Sequence, residues 1–158
     1  MRYQFAKPED CREELKSAVA KAVEDCKGIF VYGNTGVGKT HFCHAVANSK
    51  KVPVENFVEL LSEFKDYIQR GCYMDHMKNL CNAEYLIIDD LGSEKTSEWV
   101  HEFLYTIINK RYENQKRTII TTNLQLNAFR ERYGERILSR LAEMCVMVEL
   151  LGEDLRLK

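Results

Sequence analysis

The sequence predicts an α/β fold, a five-stranded parallel sheet flanked by helices, and three observations predict it. Short apolar runs alternate with stretches whose apolar residues recur at helical spacing. A glycine-rich octapeptide, Gly33-Asn34-Thr35-Gly36-Val37-Gly38-Lys39-Thr40, joins the first apolar run to a helical stretch. The third run, Tyr85-Leu86-Ile87-Ile88, ends in two carboxylates, Asp89 and Asp90.

In chain order, Leu15, Ala18, Val19, Ala22, Val23 and Cys26 fall at helical spacing and predict an amphipathic helix before the first strand. That strand spans 28–32, and after the glycine-rich loop a helix should run over 39–48. Pro53 marks the start of a second strand near 52–58, followed by helical segments over 59–70 and 73–82. After the third strand, Val100, Phe103, Leu104, Ile107 and Ile108 make the apolar stripe of a long helix. Thr118 to Thr121 is a fourth strand and Val146 to Glu149 a fifth, with helical pieces over 125–131 and 135–143 between them. The division is a lead-in over 1–27 and a core over 28–158, together one domain, which suits 158 residues.

Composition narrows the function. With 45% hydrophobic and 30% charged residues the chain has the make-up of a soluble globular protein. No apolar stretch approaches a membrane span and Met1 to Phe5 opens no secretory signal, so the expected location is the cytoplasm, with no membrane partner. The net charge of −1 supplies no global basic field, and any nucleic-acid contact must come from a local patch. The six cysteines form no C-x-x-C pair and read as reduced, buried thiols; Cys72, His76 and Cys81 lack the paired spacing of a zinc site.

The octapeptide spells G-x-x-x-x-G-K-T, the phosphate-binding P-loop, and implies a bound nucleoside triphosphate. Backbone N–H groups wrap an anion only where no Cβ blocks the approach and some residues take positive φ, which Gly33, Gly36 and Gly38 permit. The helix beginning near Gly38 turns its unpaired N–H groups to the phosphates, Lys39 adds a point charge for the β and γ groups, and Thr40 offers a hydroxyl to Mg²⁺. His41 follows directly and is counted with the nucleotide-binding residues, although with His44 it also fits a partly buried helix face.

An apolar strand that ends in carboxylates delivers them to the crevice where open α/β sheets bind ligands. Asp89 suits the Mg²⁺ sphere in the manner of a Walker-B aspartate, and Asp90 is placed to polarise the attacking water; the same Asp-Asp-Leu-Gly also fits a turn that caps the next helix. Thr121-Thr122-Asn123 ends the fourth strand. Were that strand beside the first, Asn123 would stand between γ-phosphate and water; alone, it also reads as a helix N-cap.

Five segments carry a resemblance: Asp89-Asp90-Leu91-Gly92-Ser93-Glu94-Lys95, Glu98-Trp99-Val100, Ile107-Ile108-Asn109-Lys110-Arg111-Tyr112, Thr121-Thr122-Asn123-Leu124, and Gly134-Glu135-Arg136-Ile137-Leu138-Ser139-Arg140-Leu141. In this order they resemble the DnaC/IstB family of AAA+ ATPases, which load replicative helicases or assist transposases, and the likeness runs from about Ile29 to Lys158. The resemblance implies an AAA+ core with a reduced or absent helical lid, ATP with Mg²⁺, a replicative helicase and single-stranded DNA as partners, and self-association with ATP sites shared between neighbours. It makes Arg140 the arginine finger, ahead of Arg136, and Arg156 a nucleotide-contacting arginine. It places a DNA-contacting element over 59–82, where Lys65, Arg70 and Lys78 lie. The family's usual N-terminal helicase-binding domain has no counterpart in the 27 residues ahead of the first strand. Against the finger stands pairing of Arg136 and Arg140 with Glu135 or Glu143 on an exposed helix. Besides the helicase loader, the sequence leaves open an IstB-like transposition helper, a P-loop nucleotide or small-molecule kinase, and an ATP-binding interaction module without turnover.

Overall fold

The computed structural model describes residues 2–157; Met1 and Lys158, the outer ends of the expected lead-in and core, lie outside them. Helix α1 (Glu13–Asp25) leads into strand β1 (Gly28–Gly33), and α2 (Lys39–Lys50) follows the P-loop. Next come β2 (Val54–Asn56), α3 (Phe57–Gln69), α4 (Tyr73–Asn82) and β3 (Tyr85–Leu91). The long helix α5 (Glu98–Glu113) precedes β4 (Arg117–Thr122), after which α6 (Leu126–Tyr133) and α7 (Glu135–Met144) lead to β5 (Cys145–Leu150). A 3-10 turn, Leu155–Leu157, follows.

The five strands form one parallel sheet in the order β2-β3-β4-β1-β5. Its register explains the continuous apolar runs. Ile29, Ile119 and Ile87 pair across β1, β4 and β3 and point into the core beneath α1 and α2. Phe30, Ile120 and Ile88 form the next row and point into the opposite core, against α3, α5 and α7. Strands covered on both faces read as near-continuous apolar runs.

The second strand is shorter than the sequence predicts. Asn56 accepts a hydrogen bond from the Glu59 N–H at 3.2 Å and so caps α3, which makes Phe57 and Val58 helical; the buried Phe57 ring packs 6.2 Å from that of Phe103. The other predicted elements form within a few residues of their expected bounds, and β3 runs on through both aspartates to Leu91. The parallel order brings the C-terminal ends of β1, β4 and β3 side by side, with the P-loop at the first of them.

Candidate nucleotide site

The P-loop opens into a cavity of about 770 Å³. Gly36 and Gly38 take φ of 79° and 103°, in the left-handed region that favours glycine. A Cβ on Gly36 would strike the Asp154 carboxylate, whereas one on Gly38 would project into open space, the room a phosphate needs. Among the described residues the N–H groups of Gly36, Gly38, Lys39 and Thr40 have no hydrogen-bond acceptor, so the first turn of α2 presents an array of free donors. Lys39 is buried, and its ammonium donates to the carbonyls of Gly33, at 2.9 Å, and Asn34. Burial pulls its pKa down while the charges of Asp89 and Asp90 hold it up. These donors and this charge fit a triphosphate.

Asp89 is buried and shared. Its Oδ2 accepts from the Thr40 hydroxyl at 2.9 Å and its Oδ1 from the hydroxyl of Thr121. A hydroxyl and a carboxylate in contact at the P-loop are hard oxygen donors of the type Mg²⁺ takes. The Thr121 oxygen also accepts the Asp90 N–H at 3.0 Å, so one hydroxyl positions both aspartates. Asp90 has φ of 61°, left-handed for a non-glycine residue, at a shift in the β3–β4 register between Ile88 and Leu91. The shift re-aims its carboxylate, whose Oδ1 accepts from the Asn123 Nδ2 at 3.2 Å. Because β4 lies between β1 and β3, Asn123 does stand beside the P-loop, as the sequence reading required.

Arg156 also lines the cavity, and its guanidinium is held by Asp154 through Nε at 2.9 Å and Nη2 at 2.7 Å. The pairing keeps the Asp154 carboxyl low, at about 2. The same segment is pinned to the loop by the Leu155 N–H, which donates to the Gly36 carbonyl at 2.9 Å. His41 lines the cavity, with its Nε2 buried and unpartnered among the described residues. Arg140 does not line it. Its Nε donates to Asn109 Oδ1 at 2.7 Å, and neither carboxylate offered by the sequence takes it: Glu135 pairs with Arg130 at 2.6 Å and Glu143 accepts the Tyr112 hydroxyl.

Residues 1–158 match the family described as IstB-like ATP binding protein. The chain belongs to that family. It is 32% identical to the phage-like element PBSX protein XkdC of Bacillus subtilis (strain 168), over 86% of this chain and 56% of that protein. It is 27% identical to the replicative helicase loader DnaI of the same organism, over 82% and 48%. A crystal structure of the DnaC helicase loader matches with a TM-score of 0.77 at 27% identity, covering 95% of this chain and 99% of that one. The chain spans about half the length of these two curated relatives. Strand order and this likeness identify the AAA+ form of the P-loop fold.

The IstB-like chain has site residues that sequence reasoning passed over. Tyr3, Asp10, Cys11 and Arg12, all in the expected lead-in, form a wall of the cavity. They are held there by Asn48, whose Nδ2 lies within 3.0–3.4 Å of the Tyr3, Gln4 and Ala6 carbonyls, by a Tyr3–His44 stack at 4.7 Å, and by Arg12 donating to the Leu151 carbonyl at 2.6 Å. Asn56 reaches the cavity from the end of β2. Only Thr121 had a signal in the sequence, its place in Thr-Thr-Asn.

Proposed function

We propose that the cavity binds ATP with Mg²⁺ and hydrolyses it, and that the chain is the nucleotide-driven core of a protein that loads or regulates a replicative helicase on single-stranded DNA. The observation that carries the ATPase reading is the meeting of Lys39, the Thr40–Asp89 pair and the Asp90–Asn123 pair in one cavity. The free N–H groups of the P-loop and Lys39 hold the phosphates. Thr40 and Asp89 would hold Mg²⁺, which when bound neutralises phosphate charge. Asp90 takes a proton from the water that attacks the γ-phosphorus, the bond to the β–γ bridging oxygen breaks, and ADP and phosphate are released. Asn123 orients the Asp90 carboxylate, and Arg156 leaves Asp154 for the nucleotide.

Arg140, which does not line its own cavity, serves the site of a second copy. Charge placed on the transferring group is worth about 10³ to 10⁵ in rate, so an isolated chain turns over slowly. The helicase-loading part of the reading rests on the likeness to DnaI and to the DnaC helicase loader. The test is co-migration of the purified chain with the replicative helicase of its host in Mg-ATP, run beside ATP turnover with and without single-stranded DNA. The expected result is a complex and turnover, both lost in Lys39→Ala. Turnover without a complex removes the helicase partner and keeps the ATPase; neither, in a chain that still folds, removes both.

A further inference from the structure

Arg140 lies on α7, but most of what holds it lies on α5. Tyr105, Asn109 and Tyr112 are spaced to share one face of that helix. The Arg140 guanidinium sits 5.6 Å from the Tyr105 ring centre and 5.5 Å from that of Tyr112. Its Nε donates to Asn109 Oδ1, and the amide is turned that way because its Nδ2 donates to Glu113 Oε1 at 3.0 Å. The Tyr112 hydroxyl donates to Glu143 on α7. Both terminal Nη groups of Arg140 have no hydrogen-bond partner among the described residues.

The geometry points to Tyr105, Asn109 and Tyr112 as positioning residues that hold Arg140 ready for the nucleotide of a second copy, a proposal that rests on the finger reading above. An arginine kept for structure spends its terminal Nη groups on acceptors of its own chain, as Arg111 does on the carbonyls of Leu80, Ala83 and Arg117. Arg140 is anchored through Nε and its planar faces, with the end that meets phosphate bidentately left free. A flexible arginine must lose rotamer freedom on reaching a neighbour's site, and the two rings and the amide remove that freedom beforehand. The rings act through polarisable faces, so phenylalanine should serve in place of tyrosine and leucine should not.

The experiment measures ATP turnover at a protein concentration where it no longer rises per chain. Tyr105→Leu with Tyr112→Leu should lower kcat about ten- to a hundredfold, the scale of a misplaced catalytic group, with KM and nucleotide affinity unchanged. Tyr105→Phe with Tyr112→Phe should restore kcat. Mixing the leucine pair with Asp90→Asn should recover turnover, because an intact site then meets a well-held Arg140 from the other chain. If the leucine pair turns over at the parent rate while Arg140→Ala does not, the positioning role is wrong and the finger stands. Parent-rate turnover in Arg140→Ala removes the finger and the positioning role with it. A leucine pair that mixing cannot rescue, or a phenylalanine pair that falls equally, means the rings act on folding or through their hydroxyls, and overturns the proposal.

Discussion

Asp90 joins backbone strain to proposed chemistry, and substitutions separate the two. Its left-handed φ of 61° costs an L residue about 1–2 kcal/mol. Asp90→Gly and Asp90→Ala remove the same carboxylate and the same 3.2 Å bond from Asn123, so their difference reports the backbone alone. Alanine keeps the left-handed cost. Glycine escapes it but loses about 0.5–1 kcal/mol more chain entropy than alanine. The balance leaves the glycine variant at least as stable as the alanine variant, by up to about 1.5 kcal/mol. Urea unfolding followed through Trp99, the single tryptophan, measures this. Asp90→Asn should keep the fold, because its oxygen can still accept from Asn123 and asparagine tolerates the left-handed region. It should nevertheless lower turnover about 10²- to 10⁴-fold, since an amide takes no proton from water. An alanine variant more stable than the glycine variant would refute the strained backbone; an asparagine variant at the parent rate would refute the base.

Three further outcomes are expected. Arg111 is fully buried and donates to the carbonyls of Leu80, Ala83 and Arg117 and to the Thr118 hydroxyl, with burial lowering its pKa to about 10. Arg111→Met strands these acceptors at about 1–3 kcal/mol each, partly offset because the cation need no longer be desolvated, so urea stability should fall by about 3 kcal/mol or more; a loss below about 1 kcal/mol contradicts this account. Thr121→Val removes the hydroxyl shared by the two aspartates and should lower turnover at least about tenfold with nucleotide affinity retained, whereas a parent kcat would show that Asp89 and Asp90 position themselves. Burial and the charges of Glu63 and Glu59 raise the pKa of Glu55, so the native state keeps a proton that the unfolded chain has released, and stability falls as pH rises from the ordinary carboxylate value through the raised one. Glu55→Gln should therefore unfold at higher urea than the parent at pH 7 and match it at pH values below both; equal midpoints at pH 7 would show that Glu55 carries no such penalty.

What the sequence made legible is what consecutive residues build. The rows Ile29–Ile119–Ile87 and Phe30–Ile120–Ile88 are covered on both faces, so β1 and β3 declare themselves by apolar runs and β4 by Ile119-Ile120 between threonines. The P-loop is legible for a similar reason, because backbone wrapped around an anion needs glycines within a few positions of each other. The bound of β2 was misread because apolar residues continue past Asn56, and one side-chain cap decides where extended chain becomes helix. The left-handed Asp90 has no signature of its own, since aspartate is ordinary at a strand end and its conformation depends on a hydroxyl 31 residues away.

The cavity wall is less legible still, because Asn48 and Arg12 hold it through bonds reaching 42–45 and 139 residues along the chain, with no periodicity to betray them. The face that holds Arg140 is an intermediate case. Tyr105, Asn109 and Tyr112 do recur at helical spacing, but beside the stripe of Phe103, Leu104, Ile107 and Ile108 that buries α5. A helix pattern shows which side meets the core; it does not show what the flanking side meets, and that depends on α7 arriving from more than twenty residues further on. The chemistry that one strand end or one loop must carry is therefore written locally, while the preorganisation of that chemistry is written in pairs of distant side chains that only the fold brings together.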